Sequence, residues 1–195
     1  MTKRLFDILF AFFALLILLP FFVAIAVKIK FNSAGPIFYL QKRVGKNNND
    51  FSIFKFRTMK VNSDKAGLLT VGMNDSRITK VGVVLRKYKL DELPQLLNVL
   101  LGNMSLVGPR PEVRKYVDMY NAEQLKVLTV KPGITDYASI LYSHENELLA
   151  KAADPEKEYI ENIMPHKLQL NVEYIRTHTF MGDIKILLNT VAKIF

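Results

Sequence analysis

Two adjacent carboxylates, Asp91 and Glu92, stand in the otherwise mostly apolar stretch "KLDELPQLL". Charge in apolar surroundings is costly unless it is paired or used. Consecutive helical residues point about 100° apart, so two adjacent acids divide the work on one substrate more easily than they act on one atom. One carboxylate could attack phosphorus while the other holds Mg²⁺, a hard cation that suits carboxylate and diphosphate oxygens together.

A purely structural role explains the same pair. If a helix begins at Asp91, Pro94 lies in its first turn, where proline is tolerated. Asp91 would then be the N-cap, and Glu92 would complement the helix dipole. The same helix end would also attract phosphate and keep a neighbouring carboxylate ionised. From these residues alone the structural role has the greater weight, and the chemical one stays open.

Arg110 is the basic residue whose setting best indicates phosphate binding. It stands between two prolines in "GPRPE", which stiffen its backbone. A fixed guanidinium is a good clamp for a diphosphate or nucleotide. Further candidate cations, each of which could equally be an ordinary surface charge, are Lys55, Arg57, Arg86 and Lys131.

Other chemistries find little support in the sequence. The three histidines match no metal-binding spacing, and the G-x-S-x-G, GxxxxGK, GxGxxG and Asp-x-Asp motifs are absent. With no cysteine in the chain, disulfides, thiol catalysis and cysteine-bound zinc are excluded. The net charge of +9 with 50% hydrophobic residues predicts an anionic partner, which could be nucleic acid, acidic lipid or a phosphorylated substrate.

The elements that must position these groups begin with an uncharged run over residues 8–27. About twenty apolar residues are enough to cross a bilayer as a helix. A signal peptide cleaved near residues 24–26 is one alternative, but the run is longer than a usual h-region. A buried core helix is another, but the run is apolar on all faces.

Charge and proline placement favour a re-entrant hairpin over a straight span. Lys3 and Arg4 precede the run, and Lys28 and Lys30 follow it, whereas basic residues prefer one side of a membrane. Pro20 lies near the middle and would bend the helix, so that both basic ends return to one acidic lipid surface. We therefore predict a membrane segment over 1–34 and a membrane-associated domain over 35–195, with "NSAGP" at the boundary.

The second segment predicts an α+β fold that is mostly helical. Residues 37–45 and 51–59 indicate a β-hairpin, with Lys55 and Arg57 on one face of its second strand, and 60–76 an irregular loop. Beyond it we predict loops over 103–112 and 130–140, the latter leading into a short extended piece. The predicted helices are 77–90, 92–102, 113–127, a helix begun by Asp154 and Pro155 and interrupted at Pro165, and a C-terminal amphipathic helix. The apolar stripe of that last helix could face the core or a membrane interface, and core packing is slightly favoured; its members are Ile184, Leu187, Leu188, Val191 and Phe195.

Taken in order, several of these segments resemble the bacterial sugar transferase family, small monotopic phosphoglycosyl transferases acting on a polyprenol carrier. The resemblance runs from about residue 3 to 137 and is looser beyond. It is carried by "KRLFDILFA", "GPIFYLQKRVGKN", "FSIFKFRTM", "LRKYKLDELPQLLNVLLGNMSLVGPRPE" and "VKPGIT". The fold it implies has a re-entrant helix-break-helix, a small β-hairpin and interfacial amphipathic helices, on the cytoplasmic face of the bacterial inner membrane.

The resemblance also implies a role for each matching residue. Asp91 would attack the sugar-bearing phosphate of a UDP-sugar, release UMP and pass the phosphosugar to polyprenol phosphate. Glu92, with Asp91, would help to hold Mg²⁺, and Leu19 and Pro20 would mark the membrane bend. The implied partners are a UDP-sugar, polyprenol (undecaprenyl) phosphate and an anionic bilayer, with no nucleic acid, and a homodimer is allowed. The nucleotide site would be shaped by Pro109, Arg110, Pro111 and Glu112.

The chain departs from the family pattern at two places. Leu19 stands where some members have serine, which removes a hydroxyl that could satisfy the backbone freed by Pro20. After "KPGIT" the chain reads "DYASI", where many members have a glycine and a glutamine, so no sugar is inferred. A membrane-anchored binding module without catalysis and an exported soluble protein remain as alternatives, and both would make the ordered motifs coincidental.

Overall fold

The computed structural model describes residues 2–61, 63 and 75–194, and over these it is mostly helical with two small sheets. This confirms the mostly helical α+β class. The helices are α1 Thr2–Asn32, α2 Lys80–Lys87, α3 Gln95–Leu101, α4 Arg114–Val117, α5 Tyr137–Leu141, α6 Glu145–Lys151, α7 Pro155–Glu158, α8 Met164–Thr177 and α9 Phe180–Ile194. The strands are β1 Phe38–Val44, β2 Asp50–Phe56, β3 Ser105–Val107 and β4 Gly133–Thr135. Of the predicted loop over 60–76, positions 62 and 64–74 lie outside the described residues.

The predicted hairpin is confirmed. Strands β1 and β2 pair antiparallel, with Leu40 opposite Phe54. The connecting turn places Asn47 and Asn48 at φ values of 57° and 62°. Asparagine tolerates this left-handed conformation better than most residues, which explains the polar "KNNND" turn.

The second sheet was not predicted, because both of its strands fall within segments assigned to loops. Strands β3 and β4 pair parallel over three residues each and join segments distant in sequence. Such short, buried strands carry no alternating pattern. A Cβ on Gly133 would lie 2.1 Å from the backbone N of Gly108. The two segments can therefore approach this closely only because both positions are glycine. The contact brings "GPRPE" beside "KPG".

Helix α1 is long and apolar enough to cross a membrane, and only 11% of its most apolar window is buried. The helix is continuous through Pro20, so the predicted helix-break-helix is not confirmed. Leu19 and Pro20 are both exposed. The large apolar side chains of α1 that have at least half of their surface exposed are Leu5, Phe13, Leu16, Ile17, Leu19, Val23 and Phe31.

Both flanks of α1 nevertheless pack against the rest of the chain. At the N-terminal flank, Ala11 is fully buried beside Val99 and Met104. At the other, Ile25 and Ile29 pack in a cluster that also holds Phe56 and Leu85. The interior of the protein therefore extends across the predicted boundary at residue 34.

The helix predicted over 113–127 is wrong in extent. Helix α4 covers only Arg114–Val117, and a 3₁₀ segment follows at Gln124–Thr129. The cause is a reciprocal cap: the backbone N of Asn121 donates to Gln124 Oε1 at 2.9 Å, and that of Gln124 donates to Asn121 Oδ1 at 3.0 Å. This pair starts a new turn where the apolar pattern suggested continuation.

The C-terminal third follows the predicted caps more closely. Asp154 caps α7 by accepting from the backbone N of Glu156 and Lys157, as predicted. A π-helical turn at Tyr159–Ile163 then leads into α8 at Met164, so that the helix restarts next to Pro165. Helix α5 begins at Tyr137, inside the predicted loop over 130–140, because Asp136 caps it. A turn and helix α6 follow where a short extended piece was predicted.

The apolar stripe of α9 is divided between core and surface. Of its predicted members, Leu187 packs against the core cluster that holds Ile186, a fully buried residue outside the predicted stripe, and Ile184 is half-buried. Phe195 lies outside the described residues. Leu188 and Val191 are 66% and 57% exposed, which contradicts the favoured core packing for these two. The helix therefore buries one line of side chains and presents another apolar line outward.

Candidate active site

Asp91 lies in a 3₁₀ turn, Leu90–Glu92, and helix α3 begins only after Pro94. Lys89, just before the turn, has a left-handed backbone at φ 54°. Neither the turn nor α3 has a side-chain cap, so the prediction of Asp91 as an N-cap is wrong. The physical reason is that Pro94 occupies the position preceding α3, which leaves the Asp91 carboxylate outside the capping geometry.

Glu92 is the centre of a buried ion-pair cluster. Arg110 Nη1 donates to Glu92 Oε2 at 3.0 Å, and Arg110 Nη2 donates to Oε1. Lys55 Nζ donates to Oε1 at 3.3 Å. The structure thus brings together three residues predicted from segments far apart in the sequence. A two-pronged contact of this kind fixes the guanidinium plane as well as its position.

The pKa values of the two adjacent acids are shifted in opposite directions. Burial alone would raise the pKa of Glu92, but Arg110 and Lys55 hold it well below its ordinary range. Burial, followed by the charge of Glu92, raises the pKa of Asp91 to about 6. One acid is therefore a permanent anion matched by cations, and the other changes charge close to neutrality.

The carboxylate of Asp91 accepts no hydrogen bond from any of the described residues, although the residue is only 8% exposed. Lys55, Arg86 and Lys89 lower its pKa through their charge without bonding to it. Arg86 is held instead by Thr58, whose Oγ1 accepts from Arg86 Nε at 3.0 Å. The oxygens of Asp91 are not among the fully buried side-chain atoms that lack a partner, so they reach the surface and are available to a ligand.

Arg57 and Lys131 lie elsewhere. Arg57 donates to the backbone oxygens of Ala34 at 2.9 Å and Ser33 at 2.6 Å, and so closes the end of α1. Gly35 makes room for it, because a Cβ there would lie 2.1 Å from the guanidinium. Lys131 lies near Arg4, at the C-terminal end of α3.

The "GPRPE" loop is held in place by its own glutamate. Glu112 Oε1 accepts from Arg43 Nη1 at 2.8 Å and from the backbone N of Val113 at 2.7 Å. Glu112 Oε2 accepts from Tyr159. A cavity of about 10 Å³, room for about one water, lies among Pro109, Pro111 and their neighbours. In this structure Glu112 fixes the loop and does not face an open nucleotide pocket.

Three residues of the site were not found by sequence reasoning. Asn98 Nδ2 donates to the backbone O of Ser52 at 2.8 Å, and Asn98 Oδ1 accepts from the backbone N of Phe54 at 2.9 Å. This amide therefore pairs with the free edge of β2 and sets Lys55 against α3. Its signal was an isolated asparagine in the apolar run "QLLNVLL". The other two, Asp136 and Tyr159, gave no such signal.

The described residues contain no group of three His, Cys, Asp or Glu side chains that could hold a metal ion. The carboxylate of Asp91 has no donor, whereas both oxygens of Glu92 are bound by Arg110. Mg²⁺ is commonly bound by one or two carboxylates with substrate phosphates completing its shell. The residues therefore fit a Mg²⁺ ion that arrives with a diphosphate.

The chain belongs to the bacterial sugar transferase family, whose model matches residues 1–195.

Among its relatives, a UDP-N-acetylgalactosamine-undecaprenyl-phosphate N-acetylgalactosaminephosphotransferase of Aeromonas hydrophila is 40% identical over 98% of this chain and 43% of its own. A UDP-glucose:undecaprenyl-phosphate glucose-1-phosphate transferase of Escherichia coli K12 is 38% identical over 100% of this chain and 40% of its own. The chain thus spans about two fifths of these relatives. It spans 86% of the uncharacterized sugar transferase EpsL of Bacillus subtilis, at 40% identity.

Proposed function

We propose that this protein transfers a sugar 1-phosphate from a UDP-sugar to undecaprenyl phosphate, as the first membrane step of bacterial glycan assembly. The observation that carries the proposal is the contrast within the acidic pair. Asp91 is buried without a hydrogen-bond donor, while its neighbour Glu92 is bound by Arg110 and Lys55. Cations for a diphosphate and an unpaired nucleophile therefore lie side by side. The relatives' names indicate the two substrates.

The reaction takes place in two displacements on phosphorus. In the first, an oxygen of Asp91 forms a bond to the sugar-bearing phosphorus, and the bond from that phosphorus to the bridging oxygen breaks. UMP leaves with the electron pair, and the sugar phosphate remains on Asp91 as an acyl phosphate. In the second, an oxygen of undecaprenyl phosphate attacks the same phosphorus and releases the carboxylate. Two unlike substrates can then use one site in turn.

Each step requires the charge distribution of this site. Asp91 attacks only as the anion, and the raised pKa of about 6 keeps it basic while leaving it ionised above neutrality. Arg110 and Lys55 supply positive charge beside the phosphorus. Asp91 is the residue that would hold Mg²⁺ together with the diphosphate, and Glu92 would join it only by giving up a bond to Arg110. When bound, the ion would neutralise diphosphate charge as a Lewis acid.

The packing of both flanks of α1 supports a monotopic arrangement at one membrane face, while the re-entrant bend stays a prediction because the helix is continuous through Pro20. A straight helix of 31 residues would extend about 46 Å, enough to place its ends on opposite sides of a bilayer. Here both flanks pack against one body while the middle exposes large apolar side chains. The exposed line of α9 adds apolar surface suited to a membrane interface. The cytoplasmic face follows from the location of UDP-sugars, and the homodimer stays a prediction.

The test of the reaction is UMP release from a panel of UDP-sugars with undecaprenyl phosphate and Mg²⁺. Glucose and N-acetylgalactosamine are the first two sugars, since the relatives' names contain both. We expect one sugar to support turnover and mass spectrometry to find the phosphosugar on Asp91 when the acceptor lipid is withheld. Asp118→Asn, which alters an exposed carboxylate outside the site, is the matched control. An active protein with no adduct on Asp91 would contradict the covalent mechanism.

Topology is tested independently, since the chain has no native cysteine. Single cysteines placed at Thr2 and at Ser33 should both react with a membrane-impermeant reagent from the cytoplasmic side. Labelling from opposite sides would establish a straight span.

A further inference from the structure

Asp136 stands between β4 and α5 and is fully buried. It directly follows "KPGIT" in the sequence.

The two oxygens of Asp136 have separate partners. Oδ1 accepts from the backbone N of Ser139 at 2.5 Å and so caps α5. Oδ2 accepts from the backbone N of Arg110 at 3.0 Å. The cap belongs to its own helix, whereas the second bond reaches across to the residue that binds Glu92.

The second bond acts at a sensitive point of the loop. Prolines on both sides of Arg110 restrict its backbone, so one fixed N–H sets the direction from which its side chain leaves. The negative charge of Asp136 also favours the guanidinium, although Glu92 is the stronger influence on the pKa of Arg110.

We propose that Asp136 is a positioning residue that aims Arg110 at the diphosphate of the nucleotide sugar. This inference deepens the proposed function and rests on it. Asp136 touches the backbone of Arg110 and not the reacting atoms, so it acts on substrate binding. Its loss should raise KM for the UDP-sugar with little change in kcat, which is the signature of uniform binding.

Asp136→Ser separates the two bonds of the carboxylate. Serine is a good N-cap and keeps the bond to Ser139, but it is too short to reach Arg110 and carries no charge. We expect KM for the UDP-sugar to rise about tenfold and kcat to stay within about twofold. The matched control is Asp154→Ser, the same change at the exposed cap of α7, which should leave both constants unaltered.

A double-mutant cycle with Arg110→Ala then identifies the route of the effect. If Asp136 acts through the guanidinium, adding Asp136→Ser to Arg110→Ala should raise KM no further. Effects that multiply would show a general structural role and overturn the inference, as would an unchanged KM in Asp136→Ser.

The affinity for UMP, measured by calorimetry, gives a second readout that needs no turnover. Asp136→Ser should weaken UMP binding about tenfold, and equal affinity in the two proteins overturns the inference even if turnover fails. If the serine variant does not fold, Asp136→Asn, which keeps one of the two acceptor oxygens, takes its place and should raise KM by a smaller factor. Failure of every UDP-sugar with the wild type contradicts the proposed function separately.

Discussion

Two charged clusters in this protein are built from similar residues but differ in whether every carboxylate accepts hydrogen bonds. The cluster of the proposed active site, called the active-site cluster below, comprises Lys55, Asp91, Glu92 and Arg110. The anchor cluster joins the N-terminal flank of α1 to the body and comprises Lys3, Arg4, Asp7, Ser105 and Asp183.

In the anchor cluster both carboxylates are satisfied. Asp7 accepts from Ser105 Oγ at 2.7 Å and from the backbone N of Leu106 at 3.3 Å. Asp183 accepts from Lys3 and from Tyr174. The active-site cluster leaves Asp91 without a donor. A buried carboxylate can thus have a purely structural role when its oxygens accept hydrogen bonds, as in Asp7 and Asp183. The carboxylate of Asp91 accepts none, which indicates a functional role.

The largest expected effect is on catalysis at Asp91. Asp91→Asn should lower the rate of UMP release by at least about 1,000-fold, because the amide is not a nucleophile. The same change should not lower the melting temperature at pH 8, because it removes a buried charge with no bonded partner. Steady-state kinetics and thermal unfolding of one preparation measure both. A large loss of stability would show that Asp91 belongs with the anchor cluster.

The converse is expected at Asp7. Asp7→Ala leaves the hydroxyl of Ser105 and the backbone N of Leu106 without their acceptor, and should lower the free energy of unfolding by about 3 kcal/mol. Activity per folded molecule should change little, since Asp7 lies outside the active site. Denaturation in detergent and activity normalised to folded protein provide the two values. A loss of activity without a loss of stability would contradict this distinction.

The titration of Asp91 predicts how stability depends on pH. Its folded pKa, about 6, lies above its unfolded value, so between these two values the folded state holds a proton that the unfolded state has lost. The stabilising contribution is complete below the unfolded pKa, near 4, and is lost as pH rises through about 6, a difference of about 3 kcal/mol. Asp91→Asn should abolish this part of the profile. UMP release should rise over the same interval, since only the anion attacks.

The smallest effect tests a single bond of the anchor cluster. Ser105→Ala removes one donor to Asp7 and should cost about 1 kcal/mol of unfolding free energy. Asp7 keeps the backbone N of Leu106, so the loss should be smaller than in Asp7→Ala. Ser63→Ala, on a segment away from both clusters, is a suitable comparison in the same assay. Equal losses for Ser105→Ala and Asp7→Ala would mean that the hydroxyl alone makes the contact.

The active-site cluster could be predicted because its chemistry is local. Asp91 and Glu92 are neighbours, and Arg110 is marked by the prolines on both sides of it. The β-hairpin was equally accessible, since alternation and a polar turn lie within one short stretch. What sequence reasoning could not supply is the bidentate pairing of Arg110 with Glu92, which depends on β3 and β4 meeting through two glycines.

The partners within the anchor cluster could not be predicted for a related reason. Lys3 and Arg4 were assigned to the lipid surface from their place beside an apolar run. In the structure Arg4 donates a hydrogen bond to the backbone O of Val99 at 2.7 Å, and Lys3 donates one to the backbone O of Val107 at 3.1 Å. The position of a cation beside an apolar run does not identify the group that the cation binds, because that group is brought near by tertiary contacts.

The burial of Ala11, Ile25 and Ile29 has a practical consequence for the preparation of the protein. Deleting the apolar N-terminal helix to obtain a water-soluble protein would expose the apolar surfaces against which these side chains pack. Such a product should aggregate, whereas extraction of the intact chain with a mild amphiphile should preserve its activity. The part of the molecule that makes handling difficult is also part of its interior.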